Sequence, residues 1–265
     1  IADVKMSSEF PTERWFWFDP PFHAGRSALL HRQPDDIWRI DLQLSPDADS
    51  AVEKRPENVR PRIARMLGHE KFEFEWISLY KFQCRRMDKF VHGRVIFAGD
   101  SAHQVSPFGA LGANSGIQDA ENLAWKLAAV LKGEAGASLI ESYERERMQA
   151  ADENIAHWTR STDFIAPHSK AERNLRNAVL ALAPQVDFAR RMINSGRLSV
   201  ATVYDTPLST PDADVFGGSA QLGAPAPDLP VRGRDGGDSH LLQSIPGEFT
   251  LVTMQNGAVP QLPAG

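Results

Sequence analysis

Residues 93–126, GRVIFAGDSAHQVSPFGALGANSGIQDAENLAWK, decide the fold. They fall into three parts. Residues 94–98 form a short apolar run without alternation, the pattern of a strand buried on both faces. Residues 99–111 read as a loop, marked by Gly99, Asp100, Pro107 and Gly109. From about Gly112 a helix begins. Ile117, Ala120, Ala124, Leu127 or Ala128, and Leu131 recur at helical spacing, which predicts one apolar stripe. Strand, glycine-rich turn and helix N-terminus in that order build a ligand crevice at the carboxyl end of a sheet. Free amides and the positive end of the helix dipole suit a phosphate or another electron-rich group.

Upstream of this stretch the chain reads as β structure. Arg14-Trp15-Phe16-Trp17-Phe18 is rich in aromatics, which favour strands. Residues 27–32 and 37–44 follow. In the latter, Ile37, Arg39, Asp41 and Gln43 alternate with Trp38, Ile40, Leu42 and Leu44, so one face is apolar and the other mostly wet. Asp35-Asp36 marks a hairpin turn. Antiparallel strands in series predict a sheet able to floor a substrate cavity, with Trp15, Trp17 and Trp38 read first as core packing. A short helix from Pro56 to Leu67 carries Val59, Ile63, Met66 and Leu67 on one side. From Phe72 to Phe82 alternation returns, with Phe72, Phe74 and Trp76 on one face and Glu73, Glu75 and Ile77 on the other.

Downstream, Gly133 to Gly136 breaks the chain and Ser138 with Glu141 matches a capping box at the start of another helix. The alternating charges of Glu144 to Arg147 read as a solvated face. Helical periodicity continues to Phe164, Pro167 ends it, and residues 170–193 are helical with an interruption at Pro184. From Asp205 onward seven acids face two bases, which accounts for the whole net charge of −5, and Gly and Pro are dense. This shift marks a boundary near Tyr204. Residues 249–254 are a strand candidate in the tail.

Composition excludes several classes. The 42% hydrophobic and 24% charged shares are those of a globular protein with a sizeable core. No apolar run is long enough to cross a membrane, and residues 1–10 do not have the pattern of a signal peptide. Cys84 is the only cysteine, so no internal disulfide forms, which fits a reducing cytoplasm. Nor does a net charge of −5 leave a nucleic-acid footprint. No His, Cys and Asp spacing marks a metal site, and Cys84 stands in no nucleophile arrangement.

Residues 99–127 resemble the second FAD-binding motif of the flavoprotein aromatic hydroxylases, single-component monooxygenases of the phenol and hydroxyphenylpropionate hydroxylase kind. The resemblance rests on Gly99-Asp100-Ser101-Ala102-His103, Pro107, Gly109, Gly112, Asn114, and the run from Asp119 through Asn122, Trp125 and Lys126 to Leu127. Ser101 stands where Ala is frequent in that family. The Tyr143 to Arg147 tract is also familiar from it.

This resemblance implies an α/β (α+β mixed) fold: an antiparallel substrate-domain sheet over residues 1–90, the C-terminal part of a Rossmann-like FAD-binding domain over 91–204, and a tail over 205–265. The tail resembles a truncated thioredoxin-like domain, with a disordered Pro- and Gly-rich segment as the equal alternative. Gly99, Asp100, Pro107, Gly109, Gly112, Ala113 and Asn114 are the implied cofactor-binding residues. Asp100 would accept hydrogen bonds from a ribityl or ribose hydroxyl. Gly109 and Gly112 would let backbone approach the flat ring, with the amides of Gly112, Ala113 and Asn114 at its pyrimidine end and Pro107 beside its reactive edge.

The implied reaction is hydroxylation of a phenolic small molecule with FAD, NADPH or NADH, and O2, through a flavin C4a-hydroperoxide. His103 is the candidate base, weighed against a structural place in the loop, and His23, His31 and Arg39 are weaker candidates. A flavin oxidoreductase that does not hydroxylate, or a non-catalytic scaffold of the same fold, are the alternatives. The family's first fingerprint, G-x-G-x-x-G, is absent from this chain. The expectation is therefore the C-terminal portion of a longer cytoplasmic enzyme, inactive alone, with no nucleic-acid or membrane partner and with a homodimer left open.

Overall fold

Antiparallel pairing gathers the first third of the chain into one sheet. The computed structural model describes residues 1–107, 111–167, 169–193, 200–210, 221–233, 236–245, 249–250 and 252. The strands are β1 (Ala2–Lys5), β2 (Trp15–Phe18), β3 (Ser27–Arg32), β4 (Ile37–Leu42) and β5 (Glu73–Ile77), in the order β2-β3-β4-β1-β5. The β3–β4 turn runs through Asp35 and Asp36, both left-handed at φ 62° and 56°. Paired positive φ values match the right-handed twist of a hairpin, and aspartate tolerates them better than bulkier residues.

One face of the sheet is the core. Val4, Leu30, Trp38 and Ile40 pack there against Val59 and Ile63 of the helix α2 (Pro56–Leu67), which follows the single turn α1 (Ser50–Glu53). Pro56 pre-sets the first turn of α2, and Gly68, left-handed at φ 76°, ends it. Trp38 is core packing, as its alternation implies. The alternation of β5 is interrupted, however. Asp3 pairs with Trp76 and Val4 with Phe74, so Glu75 is an extra residue, a bulge. The bulge puts Phe74 and Ile77 on the core side together and turns Trp76 outward, 42% exposed. The expected continuation of the strand to Phe82 does not form, and Tyr80 and Phe82 are exposed.

The central strand departs from its sequence pattern. Only Val95 and Ile96 pair, as β8 (Val95–Ile96), with β7 (Val91–His92) across a turn at Gly93. Among the described residues β8 has this one strand partner, and Val95 is 56% exposed, so the run is not buried on both faces. Beside this hairpin, β6 (Arg85–Arg86) pairs with β9 (His103–Gln104).

Four helices complete this unit: α3 (Leu111–Lys132), α4 (Ser138–Ile165), α5 (Lys170–Leu182) and α6 (Asp187–Ile193). Ser138 and Glu141 form no capping box, because the cap position falls on Ala137 and Ser138 lies inside the first turn. The box forms instead at Ser169 and Glu172, ahead of α5, with both reciprocal hydrogen bonds present.

The chain divides into two units, Ile1–Val200 and Ala201–Gly265, close to the composition break at Tyr204. In the second unit β10 (Pro230–Arg232) and β11 (Asp238–His240) form a hairpin followed by the single turn α7 (Leu241–Ser244). Of the strand candidate at 249–254, Phe249, Thr250 and Val252 lie in no strand, and the rest falls outside the described residues. No helix among the described residues is long and apolar enough to cross a membrane, and no cluster there could hold a metal ion.

Candidate functional site

The loop between Ala98 and α3 is held from beneath by one carboxylate. Gly99 enters it left-handed at φ 59° and starts a 3-10 turn, Gly99–Ser101. Its amide donates to Asp119 Oδ2 at 2.7 Å. A side chain at Gly99 would meet the Gly116 backbone, because the loop lies against α3 there. His103 Nε2 donates to the same Asp119 oxygen at 2.7 Å, and the imidazole stacks on Phe90. The other carboxylate oxygen takes Arg147 Nε at 2.5 Å, and Arg147 also reaches the Ser115 carbonyl. Burial pushes the Asp119 carboxyl up, but the hydrogen bonds from His103 and Arg147 outweigh it and hold it below the usual carboxylate range.

This clamp belongs to a buried polar layer between α3 and α4. Ser115, Asp119, Asn122 and Lys126 recur along one face of α3. Lys126 Nζ meets Glu146 Oε2 at 2.6 Å, and Asn122 Nδ2 meets the same oxygen at 2.7 Å. Glu144 accepts the amides of Phe90 and Val91, and Tyr143 donates to the Phe97 carbonyl at 2.7 Å. Burial drives the Tyr143 hydroxyl well above its ordinary pKa.

The expected assignments of both helices are thus reversed. Glu146 and Arg147 are buried, not a solvated face, and the apolar stripe of α3 is outward, with Ile117 67% and Leu131 76% exposed. The reason is α4: its Glu146 and Arg147 match the polar residues of α3, so that face packs inward. The missed signal lay in the same helical period, since Ser115, Asp119, Asn122 and Lys126 form a second stripe beside the apolar one.

Above the clamp the sequence-derived positions gather on the open side. Asp100 is exposed and makes no hydrogen bond or ion pair among the described residues. A side-chain carbon at Gly112 would lie 4.0 Å from Asp100 Oδ1 and 3.9 Å from Val105 Cγ2. Asp100 and the first turn of α3 therefore border one notch, which the bare Gly112 keeps open. Ala113, Asn114 and Pro107 lie exposed beside it, and Gly109 falls outside the described residues. An acceptor next to helical amides, in a notch that a Cβ would narrow, fits a flat, hydroxyl-bearing ligand with an electron-rich edge. His103 is brought to Asp119 and is 3% exposed, so its imidazole serves the clamp and not the notch.

The loop is tied to the sheet through the end of α4. Thr162 Oγ1 meets Ser106 Oγ at 2.9 Å, Phe164 packs edge-on to Phe18, and the Ile165 carbonyl accepts Ser27 Oγ at 2.6 Å. Of the sheet candidates, His23 is buried with Nε2 on the Gln43 carbonyl, and Arg39 forms a bidentate pair with Asp3. His31 lies beside Arg39 on the face opposite the core.

Comparison with known proteins gives this geometry a setting. A family model described as FAD binding domain matches residues 7–157. Tetracenomycin A2 monooxygenase-dioxygenase of Streptomyces glaucescens is 53% identical over 157 residues, 58% of this chain and 28% of that protein. A putative polyketide hydroxylase of Streptomyces halstedii is 61% identical over 145 residues, 54% of this chain and 26% of that one. Among solved structures, the anhydrotetracycline hydroxylase OxyS of Streptomyces rimosus superposes with a TM-score of 0.62 at 25% identity, over 91% of this chain and 46% of its own. Aklavinone-11 hydroxylase, solved with FAD and aklavinone, superposes with a TM-score of 0.67 at 20% identity over 93% of this chain and 45% of its own, a likeness of fold. The chain spans about a quarter of the length of these two curated relatives and just under half of these two solved chains.

Proposed function

The chain belongs to the FAD binding domain family, and from that premise we propose that it carries the isoalloxazine end of an FAD site and the substrate wall of an aromatic monooxygenase. The observation that carries this reading is the notch bordered by exposed Asp100, Gly112 and the first turn of α3. Bound FAD, reduced by NADPH or NADH, would activate O2, one atom of which would pass to a phenolic ring and the other leave as water. The chain's own residues do the holding. Asp100 accepts hydrogen bonds from a hydroxyl of the cofactor's sugar-like chain. The amides of Gly112, Ala113 and Asn114 face the electron-rich ring edge, where the positive end of the helix dipole favours added negative charge. Asp119 fixes Gly99 and His103 so that the loop keeps this shape before the cofactor arrives.

The test is Asp100→Ala in a form of the protein that retains FAD. Losing one hydrogen bond to a charged acceptor is expected to cost about 1.5–3 kcal/mol, a roughly 10- to 150-fold weaker FAD affinity by fluorescence titration. Thermal unfolding should stay near wild type, because Asp100 is exposed and has no hydrogen-bond or ion-pair partner among the described residues. Unchanged affinity removes the assigned role. Oxidation of NADPH with stoichiometric product hydroxylation, in place of peroxide release, separates a hydroxylase from a flavin oxidoreductase that does not hydroxylate.

The cradle for the FAD pyrophosphate has no counterpart here, since the chain holds no G-x-G-x-x-G. We propose that it comes from the length of the relatives that this chain does not span, which would also cover the outward apolar stripe of α3 and the open edge of β8. The 265-residue chain by itself is then expected to bind FAD weakly and to show no hydroxylase turnover. Yellow protein after gel filtration, with flavin near one per chain, would overturn that expectation.

A further inference from the structure

The notch takes its shape from one stripe of α4. Arg147, Asn154 and Thr162 lie two helical turns apart in succession, so they share a face over about 22 Å. Each holds a different border. Arg147 reaches Asp119, which fixes Gly99 ahead of Asp100, and also reaches the Ser115 carbonyl near the start of α3. Asn154 Nδ2 donates to the Ser115 hydroxyl at 3.1 Å. Thr162 Oγ1 donates to Ser106 Oγ at 2.9 Å. Ser106 follows Val105, whose Cγ2 would lie 3.9 Å from a side-chain carbon at Gly112, so Val105 is a further border of the notch. Val105 and Ser106 belong to no helix or strand, yet Ser106 is 1% exposed. A buried segment outside any ladder depends on side-chain ties to keep one position.

The end of α4 is itself registered on the sheet. Just beyond Thr162, the Ile165 carbonyl accepts Ser27 Oγ of β3 at 2.6 Å, and Phe164 packs edge-on to Phe18 of β2. We propose, resting on the monooxygenase reading above, that Thr162 is a positioning residue: it passes the register of the sheet through Ser106 to Val105, and so sets the width of the notch that receives the flavin. Threonine suits the task because its branched side chain has few χ1 states, so the helix backbone aims the hydroxyl. Valine has nearly the same shape and no hydroxyl, whereas serine keeps the hydroxyl and loses the methyl. The tie can therefore be removed without removing the packing, and the packing trimmed without removing the tie.

The test has two arms. In the first, the 265-residue chain without flavin is labelled at its valine methyls, and the order parameter of the Val105 methyls is read by NMR relaxation. Thr162→Val and Ser106→Ala are expected to lower it, and Thr162→Ser to leave it near wild type. Ser27→Ala, a change on β3 that frees the Ile165 carbonyl, is expected to lower it as well. The methyls of Val4 and Val59 in the sheet core should not change, which separates a freed notch wall from a loosened fold. In the second arm, FAD affinity is read by fluorescence titration in a form of the protein that retains the cofactor. Thr162→Val should weaken it roughly two- to twelvefold, the worth of one neutral hydrogen bond, and Thr162→Ser should restore it. The first arm involves no flavin, so its failure is distinct from a failure of the monooxygenase reading. Val105 methyls as ordered in Thr162→Val as in the wild type overturn the proposal, and so does a Ser27→Ala that leaves them unmoved. A Val105 that loosens with no change in FAD affinity overturns it too, as does a Thr162→Ser that behaves like Thr162→Val.

Discussion

Asp119→Ala is expected to lower the stability of the folded chain by about 3–5 kcal/mol, the usual cost of removing one partner from a buried ion pair. The side chains of Arg147 and His103 are 1% and 3% exposed, and both would lose the carboxylate that holds them. Gly99 would lose the acceptor of its amide as well. For a unit of this size the midpoint of thermal unfolding should drop by roughly 6–20 °C, at about 2–4 °C per kcal/mol. Asp119→Asn, which keeps an acceptor oxygen and the volume, should cost less. The sign with pH follows from the depressed carboxyl. Its contribution is fully present above the unfolded value near about 3.9 and is lost as pH falls through the lower folded value. Wild type and variant should therefore converge in acid. A loss of less than about 1 kcal/mol at neutral pH would contradict the clamp, since a buried guanidinium cannot lose its counter-charge so cheaply.

The elements that bury apolar residues on one side were legible in the sequence. Alternation in β4 puts Trp38 and Ile40 inward, and the period of α2 does the same for Val59 and Ile63. What escaped were the places where a tertiary partner overrides a local pattern. The extra residue Glu75 in β5 exchanges the faces of Trp76 and Ile77, and a bulge exists only relative to the neighbouring strand. The apolar stripe of α3 is real, yet the helix is oriented by its polar stripe, because α4 brings Glu146 and Arg147 against it. Charged residues spaced for surface pairs look the same in one dimension as charged residues spaced for a buried network. At the site, the nearness of Asp100 to Gly112 was legible because turn and helix start are local. The carboxylate beneath it was not, because Asp119 meets His103 across 16 residues and Arg147 across 28.

Glu146→Ala is expected to cost about 3–5 kcal/mol at neutral pH, for a different reason from Asp119. Lys126 has a side chain with no exposure, and Glu146 Oε2 is both its counter-charge and the acceptor for Asn122. Burial already holds the Lys126 ammonium below its ordinary range, against the pull of Glu146. Between that lowered value and the unfolded one near about 10.4, the unfolded chain binds more protons, so stability rises with pH. Below the folded value the cost is present in full. Removing Glu146 lowers the folded value further and extends the rising window toward neutral pH. Urea unfolding at pH 7 and at pH 9.5 should therefore show a larger deficit for the variant at pH 7, with partial recovery at the higher pH. The pair Lys126→Met with Glu146→Leu should be close to wild type or above it, because no charge is then left in the layer. A single variant whose deficit is small and flat with pH would mean that water reaches Lys126, and the layer between α3 and α4 would not be the dry contact that orients the loop at Gly99.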